Sequence, residues 1–197
     1  PELSQAQFSY DARSKLFQVT NPANTVSETR IYNANGVLET LTDDRGNITF
    51  YEYDGFDRVS KIFYGYVNSS TYDSVEEFVY DKNYNVTTKV KRSGDTVVTT
   101  YDALKRTATK QTTGLPLVTY TYDLASRPLS SSTPVVSGDP STGTFTRLYD
   151  TAGRFIGEVY PDLKQVLHEL DGNGNRVKTT WPDGYYIERT FDELDRL

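Results

Sequence analysis

Cysteine and methionine are both absent from this 197-residue sequence, and histidine and tryptophan occur once each. Without cysteine the chain has no disulfide framework, no thiol nucleophile and no cysteine-ligated zinc, although the redox compartment stays open. The absence of methionine predicts that the sequence is a segment of a longer protein. A Ser-His-Asp arrangement would have to use the single histidine, His168.

Basic charge and long apolar runs are also scarce. The net charge is -6 and the isoelectric point is near 4.9, which argues against a phosphate-binding surface and a nucleic-acid partner. No apolar run approaches the roughly 18 residues that a transmembrane helix needs. The first residues lack the basic and apolar regions of a signal peptide, so we expect any export signal to lie outside this sequence.

The residues that are abundant are those of β-strands. The chain has 16 tyrosines and 9 phenylalanines, and these aromatics occur together with threonine and valine. Such residues suit half-buried pleated surfaces. The mean hydropathy of -0.60 is low for a protein with one thick dry core.

A turn motif recurs nine times and organises the whole chain. In its best copy Tyr149 ends a strand, Asp150 opens a turn, Gly153 can take positive φ and Arg154 starts the next strand. Asp caps turns by accepting backbone N–H groups, and we expect that role to outweigh any Asp–Arg ion pair. The residues assigned to the motif are Tyr10, Asp11, Tyr32, Asn33, Gly36, Tyr53, Asp54, Arg58, Tyr80, Asp81, Tyr101, Asp102, Arg106, Tyr122, Asp123, Arg127, Tyr149, Asp150, Gly153, Arg154, Asp171, Gly174, Phe191, Asp192 and Arg196.

The spacing of the motif predicts the fold. The copies start at 10, 32, 53, 80, 101, 122, 149, 170 and 191. Each period must hold two strands and two turns, and second turns are marked near Gly46, Gly94, Gly114 and Gly184. We therefore predict an all-β array of antiparallel hairpins over residues 1–197, with up to about eighteen strands and no helix.

Two periods are 27 residues long, and the others are 21 or 22. The extra residues predict two longer loops near 66–74 and 136–143, on the same edge of the sheet and three hairpins apart. They are either tolerated insertions or a binding edge.

The strand faces are mixed and predict no dry core. Tyr51 and Phe78 stand two residues before the motif aromatic, but His168 and Arg189 occupy the same position in other repeats. Such a sheet suits the wall of a hollow tube that is wet on both sides.

The Tyr-Asp-x-x-Gly-Arg unit and its period near 21 resemble the YD repeats of RHS proteins, as found in the shells of bacterial RHS and toxin-complex-like polymorphic toxins. The resemblance covers residues 10–197 and implies a curved, spiralling hairpin sheet that forms part of a hollow shell. It implies a non-enzymatic wall segment whose partners are the rest of its own shell and an enclosed C-terminal toxin. It also implies a secreted or bacterial cell-surface location. Related repeats occur in the teneurins, which serve cell adhesion.

Other candidate sites are better explained as structure. We interpret His168 as a wall residue, and we read Asp171, Asn173 and Asn175 as a turn because the calcium-loop pattern fails at Arg176 and Pro182. Asp139 and Gly143 belong to a stretch that resembles the Asp-Pro-x-x-Gly signature near the self-cleavage site of RHS shells. We read that stretch as a turn too. No catalytic, cofactor or metal residue is assigned.

A rival hypothesis is an extracellular module that binds carbohydrate or protein through its exposed tyrosines and long loops. In either case the unpaired outer strands predict edge-to-edge self-association.

Overall fold

The computed structural model describes residues 5–197, and all of the regular secondary structure in that range is β-strand. The prediction of an all-β hairpin array is confirmed. The strands are β1 Gln7–Tyr10, β2 Leu16–Thr20, β3 Val26–Tyr32, β4 Leu38–Asp43, β5 Ile48–Tyr53, β6 Val59–Tyr64, β7 Ser74–Tyr80, β8 Val86–Val90, β9 Thr96–Tyr101, β10 Thr107–Thr112, β11 Val118–Tyr122, β12 Pro128–Ser132, β13 Thr144–Tyr149, β14 Phe155–Val159, β15 Gln165–Leu170, β16 Arg176–Thr180 and β17 Tyr186–Glu188.

Each strand pairs antiparallel with its neighbour in the chain, so the topology is a simple meander. The chain forms two compact units, one ending at Val98 and one beginning at Thr99. Strand β9 contributes residues to both units. The assignment of residues 1–197 to a single array stays a prediction, and residues 1–4 lie outside the described range.

Two kinds of connection define two edges in each unit. Connections from an odd-numbered strand to the next even-numbered one carry the Tyr-Asp motif, and we call their side of each unit the motif edge. The pairing register shifts at the motif aromatic, as where Leu148 pairs with Gly157 and Tyr149 with Phe155. Such a shift is typical of a three-residue loop that ends in a G1-type bulge.

The two long loops occupy residues 65–73 and 133–143, close to the predicted stretches. Each joins an even strand to an odd strand and so lies opposite the motif edge of its own unit. The first loop is tied to the sheet because Tyr66 N donates to Ile48 O at 2.9 Å and Asp73 N donates to Tyr64 O at 2.8 Å. The second loop is closed at its base, where Thr133 N donates to Gly143 O at 2.9 Å, so both loops are folded connections.

Little of the described chain is buried. Among the hydrophobic residues only Phe63 and Val97 are buried, and Thr179 is the one buried polar residue in residues 5–197. Phe63 packs with the rings of Tyr66 and Tyr72, at centroid distances of 5.9 and 4.9 Å. The mixed strand faces thus correspond to a sheet with small aromatic clusters in place of a sealed core.

The described residues contain no helix, and hence none that is long and apolar enough to cross a membrane. The stretch of the sequence that comes nearest to a helical pattern, at 163–170, consists of the end of a turn followed by β15. A hollow, closed shell stays a prediction for the longer protein.

Candidate functional site: a ladder of turns

The motif turn has one backbone geometry throughout. In the best copy Asp150 N donates to Arg154 O at 3.0 Å, and Gly153 N donates to Asp150 O at 2.9 Å. This is a type I turn followed by a residue in the left-handed region. The third residue after the Asp or Asn has positive φ in all nine copies, at Ser14, Gly36, Asp57, Tyr84, Lys105, Ser126, Gly153, Gly174 and Asp195.

Gly153 meets a second demand besides its φ of 81°. A Cβ at this position would lie 1.8 Å from Nη1 of Arg127, which belongs to the preceding repeat. The guanidinium of one repeat therefore lies directly against the turn of the next. Glycine provides both the backbone conformation and the space.

One carboxylate oxygen of the motif Asp caps the turn. Asp102 Oδ1 accepts the backbone N–H groups of Leu104 and Arg106 at 2.8 and 3.0 Å. Asn33 makes one of these two bonds with its amide oxygen, which accepts Val37 N at 3.2 Å. The expected cap is therefore present, including in the one copy that carries Asn.

The other oxygen binds the side chain four residues further on. Arg106 Nε donates to Asp102 Oδ2 at 2.7 Å, and the two side chains are only 23% and 27% exposed. The same pair forms in the copies at Arg58, Arg127, Arg154 and Arg196. The Asp therefore caps the turn and pairs with Arg at the same time, which is more than the sequence predicted.

The same Arg also reaches the next repeat. Arg106 Nη1 donates to Asp123 O at 3.1 Å, and its guanidinium carbon lies 4.6 Å from the centre of the Tyr122 ring. Arg58 makes the matching contacts to Asp81 O at 3.2 Å and to the Tyr80 ring at 4.5 Å. Arg58 and Arg106 thus each link two successive turns by a hydrogen bond and a cation–π contact. Arg127 makes the cation–π contact to Tyr149, and Arg154 makes the hydrogen bond to Asp171 O.

The motif tyrosine completes the link in the opposite direction. Its hydroxyl donates to the backbone carbonyl that follows the basic position of the preceding repeat. Tyr80 Oη donates to Val59 O at 2.8 Å, and Tyr149 Oη donates to Pro128 O at 3.0 Å. The same bond is made by Tyr32, Tyr53 and Tyr122. We call these Asp, Arg and Tyr contacts together the turn ladder.

The pKa values follow these contacts. The hydrogen bond from the Arg58 side chain lowers the pKa of Asp54, and the Arg154 backbone and side chain lower the pKa of Asp150. Burial raises the pKa of the Tyr53 and Tyr80 hydroxyls. These shifts widen the pH range over which Asp54 and Asp150 are ionised and Tyr53 and Tyr80 are protonated.

Candidates outside the ladder make ordinary structural contacts. His168 Nδ1 lies 3.2 Å from Thr179 Oγ1, and burial lowers the pKa of the imidazole. Asp171 Oδ1 caps its turn by accepting Asn173 N and Asn175 N, both at 2.9 Å. Asp139 Oδ1 accepts the backbone and side-chain groups of Ser141. Across residues 5–197, no three His, Asp or Glu side chains converge on a metal position.

No protein-family profile matches the chain, and no curated protein matches it in sequence. Solved structures do match. A crystal structure of TcdB2-TccC3-Cdc42 superposes with a TM-score of 0.76 at 14% identity, over 95% of this chain and 12% of that one. A crystal structure of TcdB2-TccC3 gives 0.70 at 15% identity, over 89% and 10%. The Photorhabdus luminescens Tc holotoxin pore gives 0.52 at 15%, over 89% and 12%. This chain has the fold of a toxin-complex segment.

The prediction of an RHS/YD-repeat sheet is thus confirmed at the level of the fold. The chain spans 12% and 10% of the length of two of these toxin-complex chains. The functions of those longer chains are therefore considered for this chain only as a proposal.

Within the toxin-complex fold, sequence reasoning missed some ladder residues. Asn85 and Asn175 occupy the basic position, and their Nδ2 groups donate to the Oδ2 atoms of Asp81 and Asp171 at 2.9 and 3.0 Å. The sequence pattern was defined with Lys or Arg at this position and so excluded both asparagines. A pattern that accepts any side-chain hydrogen-bond donor includes them. The role of the tyrosine hydroxyl was also missed, because the spacing does not show which carbonyl lies opposite.

Proposed function

We propose that this chain is a wall segment of an RHS-repeat shell that encloses a C-terminal toxin in the full-length protein. The observation that carries the proposal is the turn ladder. Within each unit it joins successive repeats without a central core, so repeats can be added without changing the contacts already made. A wall of any length can be built on this principle.

The composition of the faces supports the same role. A sheet that seals a core needs one apolar face, whereas the described strands have almost no fully buried hydrophobic side chain. Large exposed residues such as Val79 and Ile187, 56% and 37% exposed, stand among polar ones. A wall wet on both sides tolerates this mixture.

The test uses the full-length protein to which this segment belongs. Limited proteolysis should leave its C-terminal region intact while the shell is folded, since a protease cannot enter a closed wall. Replacing Arg106 and Arg154 together by Ala should make that region cleavable at lower protease concentration. The control is Arg13→Ala, because Arg13 lies at an exposed turn tip outside the ladder.

A C-terminal region that is digested equally fast in the folded wild-type protein would reject enclosure. Binding of the chain to a defined glycan on an array, with no protected C-terminal region, would favour the rival carbohydrate-binding or adhesion module. The secreted or cell-surface location is part of the same proposal, and detection of the protein outside the producing cell would support it.

A further inference from the structure

An aromatic groove lies opposite the motif edge of the second unit. Its volume is about 710 Å³, within the usual range for ligand pockets. Its apolar lining residues are Pro140, Phe145, Tyr160, Pro161, Val166, Trp181 and Pro182. An adjoining hollow shares Trp181 and Pro182 and extends the groove to Tyr185. No residue of this groove belongs to the turn ladder.

The wall of the groove is built by the long loop at 133–143. Thr133 N donates to Gly143 O at 2.9 Å, and Val136 N donates to Thr142 Oγ1 at 2.8 Å. A Cβ on Gly143 would lie 3.2 Å from Pro161 Cβ, so the base of the loop packs against the neighbouring turn. The loop is therefore held in place by its own contacts, and the groove is preformed.

The rings of the groove form two tilted pairs. The Trp181 and Tyr185 centroids are 5.6 Å apart at an interplanar angle of 39°, and those of Phe145 and Tyr160 are 5.5 Å apart at 75°. Neither pair is stacked face to face, and Tyr185 is 62% exposed. Polyproline II segments dock in aromatic-lined grooves.

The charges beside the rings favour a cation. The groove and its extension carry Asp162, Lys164 and Asp183. Lys164 Nζ is paired with Asp162 Oδ2 at 2.7 Å, and this hydrogen bond raises the pKa of Lys164. The carboxylate of Asp183 therefore leaves the groove with one net negative charge. The net charge of the whole chain is -6. An arginine in a bound segment would complement it.

We propose that this groove binds a proline-rich peptide segment that carries basic residues. The prolines lie across Trp181 and Tyr185 in the extended polyproline II form, which costs little conformational entropy to bind. An arginine flanking the prolines pairs with Asp183. This proposal does not depend on shell formation, because all of the lining residues lie in one unit.

The chain carries its own reporter for this site. Trp181 is the single tryptophan, so its intrinsic fluorescence reports directly on the groove. We would titrate the 197-residue chain with a decaproline peptide flanked by two arginines at each end. The proposal predicts a saturable change in the emission of Trp181. A Gly-Ser peptide of the same length with the same arginines should give no saturable change.

Two variants test the assigned contacts. Tyr185→Ala should weaken binding about fivefold or more, because an exposed ring face is lost. Asp183→Asn keeps the backbone cap to Tyr185 N but removes the charge, so it should weaken binding and reduce the dependence on salt. The matched control is Tyr186→Ala, because Tyr186 is also exposed, at 52%, but does not line the groove. Its ring centre lies 4.4 Å from Lys178 Nζ.

Three results would overturn the proposal. The first is no saturable change in fluorescence with the proline peptide. The second is equal binding of the Gly-Ser peptide, which would show attraction by charge alone. The third is binding of a neutral oligosaccharide such as cellohexaose in place of the proline peptide, which would make the groove a glycan site.

Discussion

At the scale of single residues, the motif Asp has two separate tasks. Its Oδ1 caps the turn and its Oδ2 accepts a side-chain donor four residues later, as Asp102 does with Arg106. Asn33 shows that the tasks are separable. It keeps the cap, but the donor position four residues later is Val37, whose side chain has no hydrogen-bond donor. Asn is therefore tolerated where the second task is absent.

Because the motif Asp makes its contacts in the ionised form, the free energy of unfolding should depend on pH. The pKa of Asp54 is lowered in the folded state, so its contribution is present above the unfolded value near 3.9 and is lost as pH falls through the folded pKa. We expect wild type to be more stable than Asp54→Asn at pH 5, and the difference in unfolding free energy to narrow towards pH 3. Urea unfolding of both proteins measures it, and a difference that stays constant or widens would contradict this reading.

The tyrosine hydroxyl should contribute measurably to stability. Tyr80→Phe removes the bond to Val59 O and leaves a part-buried carbonyl without its donor, so we expect a loss of about 1 kcal/mol. Urea unfolding measures the loss. Tyr10→Phe is the control, because Tyr10 is 60% exposed and water can replace its hydroxyl contacts. Equal effects of the two changes would count against the ladder bond.

At the scale of elements, the motif turns share their backbone geometry with short hairpin turns on the opposite edge. On the edge opposite the motif, Tyr160 N donates to Lys164 O at 2.8 Å and Leu163 N donates to Tyr160 O at 2.9 Å, with positive φ at Leu163. This turn reproduces the motif geometry without an Asp at its first position. The backbone geometry therefore comes from hairpin closure, and the side chains select and reinforce it.

Leu163 should be a site where glycine stabilises the fold. Its φ of 65° is costly for a residue with a Cβ, and its side chain is 79% exposed. Leu163→Gly should raise stability by about 0.5–1 kcal/mol. Leu104, a turn residue that is 64% exposed and has ordinary negative φ, is the matched control, and Leu104→Gly should be neutral or destabilising. Thermal unfolding checks both, and a destabilised Leu163→Gly protein would refute the argument.

The elements also show how far the sequence could predict the structure. Turn positions, the alternation of strands and the two long loops followed from spacing, because Asp, Gly and aromatic residues act over a few neighbouring positions. The bonds from Arg106 to Asp123 and from Tyr149 to Pro128 did not, since they join residues 17 and 21 positions apart. Contacts of that kind depend on the exact register of the paired strands, and a periodic sequence pattern does not determine that register. The groove around Trp181 was missed for the same reason.

At the scale of the whole molecule, stability should be a sum of repeat-to-repeat terms. A sheet with so few buried side chains cannot depend on one central core, and each ladder contact involves only successive repeats. Repeat proteins of this kind behave as nearest-neighbour systems. This is the physical basis for the proposed wall role.

The outer strand β17 should promote self-association. Tyr186, Ile187 and Glu188 are all exposed, and an unpaired strand edge offers backbone groups to another chain. We expect dimers or larger species of the 197-residue chain in sedimentation experiments, and replacing Ile187 by Pro should reduce them. A monodisperse monomer across the concentration range would exclude this contact.

The most direct test of the turn ladder is a double-mutant cycle between Arg106 and Tyr122, which belong to successive repeats and lie 4.6 Å apart from guanidinium carbon to ring centre. Arg106→Met and Tyr122→Leu are made singly and together, and urea unfolding gives each free energy. A cycle of Arg106 with Tyr149, which lies in a later repeat, is the control. The account predicts a coupling of about 0.5–1 kcal/mol for the first pair and additivity for the second. Additive effects in the first pair would show that the turns do not support one another.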